Sequence, residues 1–219
     1  MKFSKKLICL SCVILPSISF GFDFIGSKKP FTGVFLLGRL GGAMLSGDYQ
    51  YAGTTSGKLS VSGYGASFGG GAGYMMLTDS KAWFAGEVYY DMKTANPAAN
   101  DATFGKVTVK SKSVMGGSVL IGGAANPRFV MYARAGYEIH TFNFGYTPPP
   151  GANNRPVTYK FNMPVAGAGG IFKLSDHFLL GGDLTHSLAT KDMTPDSANP
   201  QDIFKPSETR IFGSIRVVF

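Results

Sequence analysis

The connections in this chain alternate between short and long, and that alternation constrains its fold more than any compositional value. Period-two patterning marks eight stretches, near Gly33–Ser46, Val61–Leu77, Ala82–Lys93, Val107–Gly123, Phe129–Tyr146, Tyr159–Leu174, Phe178–Lys191 and Arg210–Phe219. TDSK (78–81), ANPR (125–128) and SDH (175–177) join three pairs tightly, whereas SGDYQYAGTTSGK, ANPAANDATFGK, TPPPGANNRPVT and DMTPDSANPQDIFKPSE are long and polar. A soluble sandwich has no reason to sort loop length by parity. A sheet running up and down through a layer whose two sides differ does. Helices fit poorly with thirty glycines; GASFGGGAGY (65–74) would lose about 1 kcal/mol at each glycine as a helix.

The two faces of each run differ in kind. Phe84, Gly86, Val88, Tyr90 and Met92 share one side of the third run, opposite Trp83, Ala85, Glu87, Tyr89 and Asp91. Val34, Leu36, Gly38, Leu40 and Met44 oppose Phe35, Leu37, Arg39 and Ala43 in the first. Met131, Ala133, Ala135, Tyr137 and Ile139 oppose Tyr132, Arg134, Gly136, Glu138 and His140 in the fifth, and Leu180, Gly182, Leu184 and Leu188 oppose Leu179, Gly181, Asp183 and Thr185 in the seventh. Charge keeps to one face through the middle of every run. A wholly apolar alternate face belongs against lipid, with the charged face enclosed. The expectation is an all-β protein: an eight-stranded antiparallel up-and-down transmembrane β-barrel, with four long loops at one end and three turns plus both termini at the other.

The N-terminus names the compartment. Lys2, Lys5 and Lys6 precede the apolar run LICLSCVIL, Pro16 breaks it, and small residues follow at Ser19 and Gly21. This reads as an export signal over residues 1–21, leaving a barrel over 22–219. The apolar run is too short to span a bilayer as a helix. Cys9 and Cys12 leave with it, as do three lysines, so 18 basic residues then face 13 acidic ones. That surplus is too small for a nucleic-acid footprint.

The stretch GAGYMML–TDSKAWFAGEVYYDM (71–92) and the closing RIFGSIRVVF (210–219) together resemble the small eight-stranded outer-membrane barrels of Gram-negative bacteria, of the opacity-protein and outer-membrane-protein-A-like kind. No periplasmic domain is expected after Phe219. The resemblance implies a multi-pass barrel in the cell outer membrane, surrounded by outer-membrane lipid and lipopolysaccharide. It implies that the barrel assembly machinery reads the last strand, through Gly213, Ile215, Val217 and Phe219. It leaves function open, because the family holds adhesins, serum-resistance proteins, structural anchors and a few lipid-modifying enzymes.

Inside, Arg39, Glu87, Arg134 and Asp183 come from the four upward strands with alternating sign, and Arg216, Glu138 and Lys112 join from the downward strands and from higher up. An eight-stranded barrel has an interior just wide enough to be filled by side chains. Charges sealed there must pair, so a salt-bridged plug is expected in preference to an ion path. Catalysis is not expected. His186 and Ser187 are adjacent, so they point to opposite faces, and Asp183 cannot unite them. His140 reads as a hydrogen-bonded lumen residue and His177 as a turn residue. No metal cluster, phosphate loop or cofactor fingerprint appears. Candidate contact residues are the loop aromatics Tyr49, Tyr51, Phe104, Tyr146 and Phe204, beside the proline-stiffened TPPPGANNRP (147–156). The functional expectation is a non-enzymatic, adhesin- or opacity-like surface protein with a role in virulence, meeting host-surface proteins or neighbouring surfaces through its loops. The alternatives are a structural anchor or narrow porin and, behind those, a lipid hydrolase. Lys106, Lys110 and Lys112 follow strand period at the rim, where lipopolysaccharide phosphates suit them better than nucleic acid.

Overall fold

The computed structural model describes residues 31–52, 56–101, 105–147, 157–190 and 203–219. The expected export signal over 1–21 lies outside them, as do the centres of the four long links. Alternating apolar residues with frequent β-branched and aromatic side chains favour a pleated, half-buried backbone, and every described element is a strand. They are β1 (Gly33–Ala52), β2 (Ser56–Leu77), β3 (Ala82–Lys93), β4 (Ala98–Asp101), β5 (Gly105–Asn126), β6 (Phe129–Thr147), β7 (Val157–Lys173), β8 (Phe178–Leu188) and β9 (Ile203–Val218).

Apart from β3 and β4, which do not pair with each other, consecutive strands pair antiparallel, and β9 closes on β1 from Phe35↔Val218 to Gln50↔Ile203. β3 and β4 both lie against β5 and form a single stave, so nine strands make a ring of eight. The interruption between them falls at Pro97, which has no N–H for the ladder. The stave still holds, because Val109 N donates to Pro97 O at 2.9 Å and Ser111 N to Ala95 O at 2.9 Å. Neighbouring staves approach too closely for side chains at several inward glycines. A Cβ at Gly41 would lie 1.9 Å from the Ile211 carbonyl oxygen, and one at Gly69 would lie 2.1 Å from that of Tyr90.

The three short connections are turns, as expected. In the first, Thr78 N donates to Ala82 O at 2.8 Å, and Lys81 takes a left-handed φ of 65° to close it. The long links differ from expectation, because strand pairing runs well into them. β1 continues six residues past Ser46, and β9 begins at Ile203 rather than Arg210. The outward face turns polar at Ser46, but backbone pairing does not need an apolar exterior.

The outward face carries an apolar belt. Val34, Leu36, Leu40 and Met44 are exposed along β1, Met115, Val119 and Ile121 along β5, and Ile211, Ile215 and Phe219 along the last stave. Tyr74, Phe84, Phe172 and Phe178 ring its turn end, and Tyr64, Phe68, Tyr90 and Tyr137 stand toward the loop end. A closed ring with no free edge, an apolar exterior and a charged interior is a transmembrane barrel.

Candidate functional site

The interior is built in three layers. At the turn end Phe35, Leu37, Trp83, Leu120, Tyr132, Ile171, Leu179 and Val218 pack into one buried cluster. At the loop end Leu45, Tyr49, Val109, Phe142, Phe144, Phe161 and Phe204 form another, with Tyr49–Phe144 ring centroids 5.8 Å apart and Phe144–Phe204 6.0 Å apart. Between these plugs lies a polar layer that includes five cations, Arg39, Lys93, Arg134, Arg210 and Arg216, and five carboxylates, Glu87, Asp91, Glu138, Asp183 and Glu208. The layer is charge-balanced, which a sealed low-dielectric space demands.

Its pairs are specific. Arg39 grips Asp91 with both Nε (2.7 Å) and Nη2, while its guanidinium lies 3.9 Å from the Tyr89 ring centroid. Arg134 bonds Glu87, and Lys93 bonds Glu208. Glu138 is a hub. Its carboxylate accepts from Arg210 Nη2 at 2.5 and 2.6 Å, from Tyr89 OH at 2.6 Å and from Ser187 Oγ at 2.7 Å, and it faces His140 Nε2 at 2.8 Å. Arg210 reaches on to Glu208 at 3.4 Å and Asp91 at 3.7 Å, and His140 Nδ1 lies 3.7 Å from Glu208. Asp183 takes the Tyr132 hydroxyl, and Arg216 sits between Glu87 at 3.6 Å and Asp183 at 3.9 Å.

The structure brings Arg39, Glu87, Arg134, Asp183 and Arg216 into one connected group, with Arg39–Glu87 and Arg134–Asp183 both at 3.9 Å. Glu138 sits nearer the loop end and joins the same network through Arg210 and Asp91, which Arg39 also holds. The expected set names Glu138 but leaves out Asp91, Lys93, Glu208 and Arg210. Asp91 already stands on Glu87's face by alternation, and Lys93 continues it at even spacing. Glu208 fell in what read as a link.

Three expectations are corrected. Lys112 does not enter the lumen: a β-bulge between Ser111 and Ser113 reverses the inward phase of β5, so Val114, Ser118 and Leu120 face in below it and Val107, Val109 and Ser111 above it. Lys112 is exposed on the outside. Tyr49 and Phe204 are not surface contacts; they are 6% and 0% exposed, inside the loop-end plug, because the staves carry their alternation beyond the apolar belt. The side chains of Tyr51, Phe104 and Tyr146 lie outside the described residues.

The residues weighed for catalysis are held apart. His186 is on the exterior with Nδ1 2.9 Å from Thr209 Oγ1, while Ser187 is fully buried and donates to Glu138. His177 is an exposed turn residue with Nδ1 3.0 Å from Val218 O. In the last strand Gly213, Ile215 and Phe219 point outward and Val217 is half-buried beside them. At the loop-end rim Asp48 pairs with Lys58 at 2.9 Å, and that lysine, then Ser60, holds the carboxyl below its usual range.

No family model and no curated relative matches the chain. Solved structures do. Neisserial surface protein A is similar at 11% identity, with 85% of this chain and 99% of that one covered and a TM-score of 0.49. The outer membrane protease OmpT of Escherichia coli is similar at 9% identity, covering 90% and 99%, with a TM-score of 0.48. The outer membrane protein OprG of Pseudomonas aeruginosa follows at 12% identity, covering 88% and 98%, with a TM-score of 0.43. One is a protease by name and the others are not, so the likeness decides nothing about chemistry. The barrel itself rests on the closed strand pairing of this chain.

Proposed function

We propose that this chain is a non-conducting, non-enzymatic outer-membrane surface protein that acts through the hairpins at its loop end, on host or neighbouring surfaces. The observation that carries the reading is the division of the strands. A tilted strand needs about 9–11 residues to cross a bilayer, whereas β1 has 20, β2 22, β5 22 and β6 19. At about 3.4 Å per residue and a tilt of about 40°, twenty residues rise about 50 Å, against an apolar band of about 25 Å. The excess lies at the loop end, and its interior is packed by the Tyr49–Phe144–Phe204 cluster. A stiff, filled extension holds the connecting segments away from the membrane at low entropic cost on binding.

The other readings fit less well. A pore would need a path through two apolar plugs and a paired charge layer. A hydrolase would need a base and nucleophile on one face, and His186 and Ser187 take opposite faces. The test compares the purified barrel with a variant whose four long links are trimmed to tight turns. Both are bound to host cells and extracellular matrix, assayed for lipid turnover and recorded in planar bilayers. Loop-dependent binding with neither turnover nor stable conductance is the expected result. Turnover lost in His186→Ala, or a stable channel altered by lumen substitutions, would overturn it.

A further inference from the structure

The exterior of β5–β7 carries an unpaired cluster of cations directly above a groove. Lys110 and Lys112 on β5 and Lys160 on β7 are all exposed, and among the described residues none of them has an ion-pair partner. The β5 bulge creates the cluster. It turns Lys112 outward beside Thr141, which is also the register partner of Lys160. Lys112 and Lys160 therefore flank one position of β6, two strand spacings or about 10 Å apart, and Lys110 stands about 7 Å nearer the loop end. Thr141 and Asn143, half-buried between them, offer a hydroxyl and an amide.

Below the cluster, toward the turn end, the barrel wall is hollowed. A groove of about 690 Å³ is floored by Gly70, Ala72 and Gly117 and flanked by Val88, Tyr90 and Tyr137. It continues into a second hollow of about 400 Å³ that shares Ala72, Val88 and Gly117 and runs on past Gly86 and Ala135. Packing does not require the glycines at 86 and 117. A Cβ on Gly86 would meet nothing within 4 Å, and one on Gly117 would come no nearer than 3.6 Å to another atom. Inward glycines such as Gly41 and Gly69 are forced by close backbone approach. These two leave side-chain space on the lipid side unfilled.

We infer that this wall binds a phosphorylated glycolipid of the outer leaflet, with its phosphates among Lys110, Lys112 and Lys160 and an acyl chain along the Gly117–Gly86 groove. Cations and apolar trough lie end to end in the order such a molecule presents them. Three lysines whose backbone positions span about 10 Å suit two phosphates better than the single phosphate of an ordinary phospholipid. The β5 bulge serves both halves, since it aims Lys112 outward and sets the phase that leaves Met115 and Gly117 on the lipid face.

The test is native mass spectrometry of the folded, detergent-solubilised full chain, with diphosphorylated lipid A competing against phosphatidylglycerol. It does not depend on loop binding or on insertion direction. The parent chain should retain one lipid A in preference to phosphatidylglycerol. K110Q/K112Q/K160Q should weaken that retention about 100-fold, at roughly fivefold per lysine. Gly117→Leu should weaken it about tenfold with every lysine in place, and Lys205→Gln, on β9, should change nothing. Heat-modifiable migration verifies that each variant is folded. Equal retention of phosphatidylglycerol, equal retention of monophosphorylated lipid A, or a triple variant within about threefold of the parent would overturn the site. A chemically cross-linked dimer abolished by Gly117→Leu with lipid retention unchanged would assign the groove to a second copy instead.

Discussion

Replacing Glu138 with alanine removes one carboxylate that serves four partners. Arg210 would lose bonds of 2.5 and 2.6 Å and keep a 3.0 Å bond to Ser187 Oγ and the longer approaches to Glu208 and Asp91. Ser187 would lose its only acceptor among the described residues, and Tyr89 would keep only Ser118 at 3.2 Å. The balanced layer would be left with one excess positive charge between two apolar plugs. Breaking a buried pair by removing one member costs about 3–5 kcal/mol, mostly from the stranded charge. Arg210→Met should cost a similar amount by stranding the carboxylate. The double variant Glu138→Ala/Arg210→Met removes both charges. It should cost less than the two single losses together, with a coupling of about 2 kcal/mol or more. The assay is urea unfolding in phospholipid vesicles, followed by fluorescence of the single tryptophan, Trp83, which is 1% exposed in the turn-end plug. Circular dichroism provides the second probe that a two-state reading needs. A Glu138→Ala loss below about 1 kcal/mol, typical of an exposed pair, would refute this account of the lumen. So would single losses that add within about 0.5 kcal/mol.

Phe204→Ala should lower stability by about 3–5 kcal/mol through a cavity in the loop-end plug and leave surface binding unchanged once the variant is folded; normal stability with lost binding would return Phe204 to the list of contacts. Protease treatment of intact cells should cut within residues 148–156 or 191–202 and spare Thr78–Lys81, and cleavage at that turn would reverse the orientation. If the last strand is the assembly signal, deleting Phe219 should leave exported, unfolded chain with no heat-modifiable band; insertion at the parent level would remove the terminal aromatic from that role.

Much of the architecture was legible without coordinates because a strand has a side-chain period of two. Glu87 and Val88 had to face opposite ways, and a lipid exterior decides which way each faces. The eight staves, the three turns and the inward set Arg39, Glu87, Arg134 and Asp183 follow from that rule and from loop-length parity. What the rule does not contain is phase change and partner choice. Lys112 was misread as a lumen residue because one extra residue in β5 reverses the phase above it. Tyr49 and Phe204 belong to the ladder and not to loops because β1 runs on to Ala52 and β9 starts at Ile203, beyond the point where the exterior turns polar. The pairing of Glu138 with Arg210, 72 residues away, depends on the stagger between staves across a closed ring. Only the tertiary structure decides that, since the periodicity of one strand determines which face a side chain takes but not the height at which it meets another.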